Sequence, residues 1–271
     1  MTTPAVPVPP ALEQRLGATP LLLLLDVDGT LSPIAPRPDY ARIPEDTQEV
    51  LRELARTSGV HVAFISGRSV SDVRDMIGVE HAWVIGNHGI EVAAADASPT
   101  IRTTVAPYEA AIREAVRRCE AITRDKPGVI VENKRWTMSV HYRLAHPSVV
   151  PALEADVSAV ATQLGLRLTH GKEVLELRPP VDIDKGVAAV DLARRLHAVE
   201  GGSVLCAGDD RTDEDMFRSL RELYPRSVTV RVGVEPGRPA PDTDAEFCVQ
   251  DTTEMRALLE WILARRRRAV A

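Results

Sequence analysis

Two aspartates at the end of an apolar segment are the first candidate catalytic residues. The run Leu21–Leu25 leads directly into Asp26 and Asp28, and Gly29 and Thr30 follow. A short apolar run bounded by turn-forming residues predicts a strand buried on both faces, which would bring both carboxylates to the open end of a parallel sheet. Two like charges there are costly unless a metal ion or a reaction requires them. An ordinary acidic turn is the alternative, because Asp-Gly is common in turns.

Polar residues of other types follow later strands or begin later helices. They are Ser66 after the apolar run Val60–Ile65, Lys185 at the start of a helical pattern, and Asp209 and Asp213 after the apolar run Ser203–Ala207. Together with the two aspartates, these residue types suit phosphoryl transfer. One carboxylate can attack phosphorus, and a hard divalent cation on carboxylate oxygens can offset the charge repulsion. A hydroxyl and an ammonium group can hold the equatorial phosphate oxygens.

Each of these residues also has a purely structural interpretation. Ser66 and Thr30 could cap turns or helices. Lys185 at a helix start opposes the helix dipole, which favours a role in a site. Glu214 and Asp215 are interpreted as ordinary first-turn acids, because negative charge is favourable there.

The elements that must position these residues are predicted from apolar periodicity. Strands at Leu21–Leu25, Val60–Ile65, Ala82–Ile85, Ser203–Ala207 and Val228–Val232 alternate with helical patterns. This alternation predicts an α/β fold with a Rossmann-like, doubly wound parallel sheet.

Between about residues 90 and 180 the alternation of buried strands and helices is interrupted by a different pattern. Shorter, more alternating strands and the helical stretches Tyr108–Thr123 and Pro147–Leu164 predict an inserted α+β domain. We expect residues 1–18 to be a disordered N-terminal arm, 19–104 and 181–271 to form the core domain, and 105–180 to form the insertion.

Composition limits the classes of partner and the compartment. The chain has 271 residues and a formal net charge of −6, which argues against nucleic acid or an anionic membrane as the main partner. We expect a cytoplasmic protein for three reasons. The three cysteines are widely spaced, the N-terminus has no signal-peptide pattern, and no apolar run is long enough to span a membrane. We expect a monomer, with the basic run Arg265–Arg268 solvated at a helix C-terminus.

The order of the motifs resembles the haloacid dehalogenase superfamily. Within it, four stretches are similar to the trehalose-6-phosphate phosphatase family, and the similarity extends from about Leu21 to Leu263. They are Ile65-Ser66-Gly67-Arg68, Gly86-Asn87-His88-Gly89, Asp184-Lys185-Gly186 and Gly208-Asp209-Asp210-Arg211-Thr212-Asp213-Glu214-Asp215. We expect a stand-alone phosphatase, because the 271 residues contain no region of the size of a glycosyltransferase domain.

The resemblance implies a role for each matching residue in the reaction. Asp26 would be the nucleophile that forms an aspartyl-phosphate, and Asp28 would be the general acid and then the general base. Ser66 would donate to the transferring phosphoryl group. Lys185 would steady both Asp26 and the phosphate.

The resemblance also implies an Mg²⁺ site. Asp26, the backbone carbonyl of Asp28, and Asp209 would bind the metal ion. Asp213 would support the metal's waters or Lys185. For Asp210 the choice between direct ligand and supporting residue stays open.

The inserted domain resembles the cap of sugar phosphatases, which excludes water and selects the sugar. The candidate substrate-binding residues in the insertion are Lys134, His141, Arg143, Lys172 and Glu176, and those in the core are Thr30, Gly67, Arg68, Asn87 and His88. Lys134, Lys172 and Glu176 could equally belong to a solvated outer face of the insertion.

The implied activity is Mg²⁺-dependent hydrolysis of trehalose 6-phosphate to trehalose and inorganic phosphate. Two alternatives stay open. The first is a broader sugar-phosphate phosphatase or a phosphomannomutase-like enzyme. The second is a phosphosugar-binding sensor without activity.

Overall fold

The computed structural model describes residues 10–95, 97–234 and 242–270. Residues Ile101–Asp182 form one compact unit, and the described residues before and after them form a second, which we call the core unit. The predicted fold class, an α/β core with an inserted α+β unit, is confirmed. Among the described helices, none is both long and apolar enough to cross a bilayer.

Among the described residues, eight strands form the larger sheet. They are β1 (Leu21–Leu25), β2 (Val60–Ile65), β3 (Trp83–Gly86), β4 (Glu91–Ala93), β5 (Thr100–Ile101), β10 (Ser203–Gly208), β11 (Val228–Val232) and β12 (Phe247–Val249). Their order in the sheet is β12-β11-β10-β1-β2-β3-β4-β5. The pairs from β12 to β3 are parallel, and β4 runs antiparallel to β3. The carboxyl ends of the parallel strands therefore meet at one edge, where Asp26, Ser66 and Asp209 lie.

Helices cover both faces of this sheet. They are α1 (Pro10–Arg15), α2 (Glu45–Arg56), α3 (Val70–Ile77), α6 (Lys185–Arg195), α7 (Arg211–Leu223) and α8 (Thr252–Val270), with short 3₁₀ helices at Pro38–Tyr40 and Asn87–Gly89. The five leucines of β1 are all fully buried. Leu21, Leu23 and Leu25 pack into the apolar cluster that contains α2, α3 and α8, whereas Leu22 and Leu24 pack with α6 and α7. A central strand needs apolar residues on both faces, which explains the unbroken leucine run.

The chain before β1 differs from the predicted disordered arm. Residues 1–9 lie outside the described residues, but α1 is helical. Leu12 and Leu16 are buried in the core cluster, one helical turn apart. Burial of these two leucines gives this segment a fixed place that its proline-rich start did not suggest.

The basic run near the C-terminus is also less solvated than predicted. Arg266 is 7% exposed and donates to the carbonyl oxygens of Leu16, at 2.7 Å, and Ala18, at 2.6 Å. Arg265 and Arg267 form ion pairs with Glu13 and Glu53. The run therefore attaches α8 to α1 and α2.

The inserted unit has a sheet of its own, in the order β6-β7-β9-β8, with antiparallel pairs. Its elements are α4 (Glu109–Thr123), β6 (Ile130–Asn133), β7 (Met138–His141), α5 (Val150–Gln163), β8 (Arg167–Gly171) and β9 (Val174–Arg178), with 3₁₀ helices at Thr103–Tyr108 and Pro147–Val149. The predicted bounds of 105 and 180 fall inside this unit. Alternate residues of β7 and β9 pack against α4 and α5, so the intervening polar residues share the other face.

Candidate active site

Asp26 lies immediately after β1 and is almost completely buried, with 5% exposure. Its backbone N–H donates to the carbonyl oxygen of Ala207 at 3.0 Å, which continues the pairing of β1 with β10. The backbone at Asp26 is thus held by the sheet itself. A side chain at the end of a central strand is positioned more precisely than one on a free loop.

Lys185 connects Asp26 with Asp213 inside the protein. Its Nζ lies 2.7 Å from Asp26 Oδ1 and 2.8 Å from Asp213 Oδ1. Lys185 is the first residue of α6, and Asp184 caps that helix by accepting from the backbone N–H of Val187 at 2.8 Å. The cap offsets the unfavourable position of a cation at a helix N-terminus.

Asp213 organises the turn between β10 and α7. Its Oδ2 accepts from the backbone N–H groups of Asp209, at 2.9 Å, and Asp210, at 3.0 Å. Both of its oxygens therefore have protein donors. A Cβ at Gly208 would overlap the Asp213 carboxyl group, so only glycine permits this close approach.

Asp210 is the N-cap of α7. Its Oδ1 accepts from the backbone N–H and the hydroxyl of Thr212, both at 2.8 Å. With Asp213 at the third helical position, this forms a complete capping box. The sequence left open whether Asp210 is a direct metal ligand or a supporting residue. Its position as the helix cap favours the supporting role.

A carboxylate cluster at this edge of the sheet fits a hard cation. Oxygens of Asp26, Asp209 and Asp213 lie within 4.8 Å of one another, and all three residues are buried. Carboxylate oxygens are the donors that Mg²⁺ prefers. Gly29 has a φ of 90°, and a Cβ there would overlap the Asp209 carboxyl group. The loop after β1 can approach Asp209 only because residue 29 has no side chain.

Electrostatics of the cluster indicate a shortage of positive charge. Burial raises the pKa of Asp26 well above its ordinary value, Lys185 opposes this rise, and Asp213 and Asp209 increase it. Burial likewise raises the pKa of Asp213 to about 7, against the opposing effect of Lys185. Although burial alone would lower it, the pKa of Lys185 is raised because the attraction of Asp213 and Asp26 prevails. A bound divalent cation would relieve the repulsion among the carboxylates.

The pKa of Asp210 shifts in the opposite direction from those of Asp26 and Asp213. Burial alone would raise the pKa of Asp210, but Lys185 and the hydrogen bonds from Thr212 lower it below its ordinary value. The helix cap is therefore a stable carboxylate.

Asp28 is held by Arg68. The guanidinium Nε lies 2.6 Å from Asp28 Oδ2, and Nη2 lies 2.8 Å from Oδ1. Nη2 also donates to the carbonyl oxygen of Pro38 at 3.1 Å. The sequence placed Arg68 among the substrate-binding candidates, and the structure brings it to Asp28.

Ser66, Asn87 and His88 lie where β2 and β3 end. The Ser66 hydroxyl accepts from the backbone N–H of Arg68 at 3.1 Å, and the Ser66 carbonyl accepts from that of His88 at 3.0 Å. Asn87 and His88 have φ values of 48° and 55°, which non-glycine residues rarely adopt. A Cβ at Gly67 would overlap the His88 ring, so the two loops depend on glycine there. Backbone strain of this kind is concentrated at functional sites.

Thr30 is fully buried beside Asp28 and Gly29 in sequence. Its hydroxyl has no hydrogen-bond partner among the described residues. The cap role considered for Thr30 therefore has no support in this part of the chain.

Comparison with known proteins identifies the family of this chain. The family model for trehalose-phosphatase matches residues 24–253. This chain belongs to the trehalose-phosphatase family. The match includes Asp26, Lys185 and Asp213, the residues of the buried ion-pair chain.

Relatives in the family are longer than the aligned region. The chain is 33% identical to a probable trehalose-phosphate phosphatase 4 of Oryza sativa subsp. japonica, over 89% of this chain and 66% of that protein. It is 33% identical to trehalose-phosphate phosphatase B of Arabidopsis thaliana, over 92% of this chain and 68% of that protein. The chain thus spans about two thirds of the length of these two curated relatives.

A solved structure of the family shares the fold. The C-terminal domain of C. albicans trehalose-6-phosphate phosphatase matches with a TM-score of 0.81 and 22% identity. That match covers 97% of this chain and 99% of the other. At this identity the likeness concerns the fold.

Candidate substrate-binding residues of the inserted unit form a network of polar contacts. Lys134 Nζ lies 3.2 Å from Glu176 Oε1, and His141 Nε2 lies 2.8 Å from Glu132 Oε2. Lys134 and Glu176 are buried. Neither is part of a fully solvated outer face.

Arg143 and Lys172 lie at the end of this sheet where β7 and β8 finish. Arg143 Nε donates to Glu173 Oε2 at 2.7 Å, and its Nη2 donates to the Lys172 carbonyl at 3.1 Å. Lys172 itself is exposed. The five candidates of the insertion therefore include two buried, two partly buried and one exposed side chain.

Sequence reasoning missed two arginines, one in the inserted unit and one in the core unit. Arg178 Nε donates to Glu176 Oε2 at 2.6 Å; alternation along β9 places the two on one face and could have identified Arg178. Arg231 binds the Asp210 carbonyl, at 2.8 Å, and Glu214, at 2.9 Å. No local pattern connects Arg231 with α7, because the contact joins separate elements of the fold.

Proposed function

We propose that the protein is an Mg²⁺-dependent phosphatase that hydrolyses trehalose 6-phosphate to trehalose and inorganic phosphate through an aspartyl-phosphate. The observation that carries the proposal is the convergence of four residues from two strand ends and two helix starts into one buried cluster; they are Asp26, Lys185, Asp209 and Asp213. Membership in the trehalose-phosphatase family supports trehalose 6-phosphate as the substrate.

In the first half-reaction, an Asp26 oxygen attacks phosphorus and the bond from phosphorus to the sugar oxygen breaks. The carboxyl group of Asp28 gives its proton to that leaving oxygen, so trehalose departs neutral. Lys185 orients Asp26, to which it is hydrogen-bonded, and holds a phosphate oxygen. The Ser66 hydroxyl donates to another phosphate oxygen.

In the second half-reaction, water attacks the phosphorus of the aspartyl-phosphate. Asp28, now a carboxylate, takes a proton from that water, and the bond between phosphorus and Asp26 breaks. Inorganic phosphate leaves and Asp26 is restored. One side chain thus acts as acid and then as base.

Asp26, Asp209 and the backbone carbonyl of Asp28 are proposed to hold Mg²⁺. When bound, the ion supplies positive charge that offsets the repulsion between Asp26 and the phosphate. Asp213 and Asp210 support the site, because Asp213 binds Lys185 and two backbone N–H groups and Asp210 caps α7.

The sugar is proposed to contact Lys134, Lys172 and Glu176, with His141 and Arg143 as further candidates. Lys134 and Glu176 are already paired, and such charged groups read hydroxyl-rich ligands through paired hydrogen bonds. A cytoplasmic monomer completes the proposal. The three cysteines are free thiols, which agrees with a reducing compartment.

Phosphate release from trehalose 6-phosphate, glucose 6-phosphate and mannose 6-phosphate tests the activity and the substrate together. We expect hydrolysis of the first at a much higher kcat/KM than the others, lost on chelation and restored by Mg²⁺. Equal rates on all three would replace the proposal with a broader sugar phosphatase. Transfer of phosphate to another sugar position would indicate a mutase, and binding without turnover would indicate a sensor.

Asp26→Asn tests the covalent mechanism. An amide cannot attack phosphorus, so phosphate release should be abolished while the unfolding midpoint changes little. Acid-quenched wild-type protein should contain the Asp26 peptide with one added phosphoryl group. Full activity of the variant would refute the aspartyl-phosphate.

A further inference from the structure

Arg68 makes two parallel hydrogen bonds to the carboxylate of Asp28. The distances are 2.6 Å from Nε to Oδ2 and 2.8 Å from Nη2 to Oδ1. The Asp28 side chain is 33% exposed, whereas that of Arg68 is 14% exposed. A two-point contact fixes the plane of a carboxylate as well as its position.

Backbone contacts on three loops hold Arg68 itself. Nη2 donates to the Pro38 carbonyl, at 3.1 Å, in the loop after β1. The Arg68 N–H donates to the Ser66 hydroxyl, at 3.1 Å, and the Arg68 carbonyl accepts from the Asn87 N–H, at 2.7 Å. The backbone of Arg68 is therefore held at the ends of β2 and β3, and its guanidinium is held by the segment that follows β1.

Asp28 needs such support more than Asp26 does. Asp26 is buried, follows the strand directly and binds Lys185. Asp28 lies two residues farther along the loop and is partly exposed. A general base must lie within hydrogen-bond distance of the proton that it takes, and a misplacement of about 1 Å can reduce the rate about 100-fold.

We infer that Arg68 is a positioning residue that orients the Asp28 carboxylate to take a proton from the attacking water in the second half-reaction, and that it is not a phosphate-binding residue. The inference rests on the proposed function, because it assigns a purpose to Asp28 in that reaction. Two of the donor nitrogens of Arg68 already point to Asp28, which leaves the phosphate to Lys185 and Ser66.

A double-mutant cycle with Arg68→Gln and Asp28→Asn on trehalose 6-phosphate tests the inference. We expect Arg68→Gln to lower kcat about 10- to 100-fold, with KM within about threefold of wild type. Because Arg68 acts through Asp28, the double variant should be no slower than Asp28→Asn alone. Arg68→Lys should recover only part of the activity, since one ammonium cannot bind both oxygens in the same plane.

Arg74→Gln is the matched control. Arg74 is also partly buried and donates to two carbonyls, those of Ala94 at 3.0 Å and Ala97 at 2.6 Å. Its loss should leave kcat unchanged, which separates positioning from a general effect of removing a half-buried arginine.

Three results would overturn the inference while the proposed function stands. They are a raised KM with unchanged kcat in Arg68→Gln, multiplicative losses in the double variant, and full activity of Arg68→Lys. A wild-type protein that releases no phosphate from any sugar phosphate would instead overturn the proposed function, and the inference with it.

Discussion

At the level of single residues, the proposed metal site depends on a position that has no side chain. Gly29 has a φ of 90°, and a Cβ there would overlap the carboxyl group of Asp209. Asp209 is buried close to Asp26 and Asp213, so it has little room to move. The Asp209 carboxyl group thus occupies the place that a side chain at residue 29 would fill. The distance between Asp209 and Asp26 therefore depends on glycine at this position.

Gly29→Ala should therefore displace Asp209 and weaken Mg²⁺ binding. We expect the rise in unfolding temperature on addition of Mg²⁺, a mass-action effect of binding to the folded state, to be lost or strongly reduced. Thermal unfolding with and without Mg²⁺ measures this directly. Turnover of trehalose 6-phosphate should fall at least about 10-fold.

Gly233→Ala is the control for backbone strain. Gly233 has a φ of 88°, and no described atom lies within 4 Å of its added Cβ. Alanine there should lower stability by about 1–2 kcal/mol and leave the Mg²⁺ response intact. Equal loss of that response in both variants would mean that strain, and not contact with Asp209, is responsible.

At the level of elements, the start of α7 is attached to β11 by one ion pair. Arg231, next to last in β11, donates to the Asp210 carbonyl at 2.8 Å and to Glu214 Oε1 at 2.9 Å. Glu214 also accepts from the hydroxyl of Thr243, at 2.9 Å, and the N–H of Asp244, at 2.8 Å. Glu214, interpreted from the sequence as an ordinary first-turn acid, is the centre of a network that holds this turn.

Arg231→Met should leave Glu214 with an uncompensated charge in a mostly enclosed position. Both side chains are 14% exposed, so we expect a loss of about 1–3 kcal/mol in the free energy of unfolding. Urea unfolding measures it. Arg221→Met is the control, because Arg221 is exposed and its one hydrogen bond among the described residues goes to the Asp244 carbonyl. It should change stability by less than about 0.5 kcal/mol. Similar losses in the two variants would show that the ion pair between Arg231 and Glu214 stabilises the fold no more than the exposed contact of Arg221 does.

At the level of the whole molecule, segments from the two ends of the chain pack together in the core unit. Arg266 of α8 donates to the carbonyls of Leu16 and Ala18 and to the hydroxyl of Thr19, at 2.6–3.0 Å. The segment that it binds leads directly into β1 and hence to Asp26. The contact between α8 and the segment before β1 therefore supports the strand that leads to the proposed nucleophile, Asp26.

Arg266→Met keeps most of the aliphatic volume but removes the donors. The buried carbonyl of Leu16 and the partly buried carbonyl of Ala18 would lose a charged partner. We therefore expect a loss of about 2–4 kcal/mol in the free energy of unfolding, seen as a lower urea midpoint. Arg268→Met changes an exposed residue of the same run and should alter stability by less than about 0.5 kcal/mol. If the two variants unfold alike, Arg266 does not join the chain ends.

Local patterns in the sequence predicted the elements and most of the site. The leucine run, the strands that end at Ser66 and Asp209, and the helix that begins at Lys185 all have signals within a few neighbouring residues. Because the carboxyl ends of parallel strands meet at one edge, the expectation that Asp26 and Asp209 lie close together followed from element order, and oxygens of the two residues lie within 4.8 Å of each other. The expectation that Lys185 lies beside Asp26 came from the family resemblance.

Which side chains become partners was decided only by the tertiary structure. Arg68 and Asp28 are 40 positions apart, and Arg266 and Leu16 are 250 apart. Short-range periodicity contains no information about such pairs, since they depend on which strands become neighbours and on the register between them. For the same reason, Pro10–Arg15 is a packed helix although the sequence predicted a disordered arm there, and Arg266 is buried although a solvated basic run was predicted.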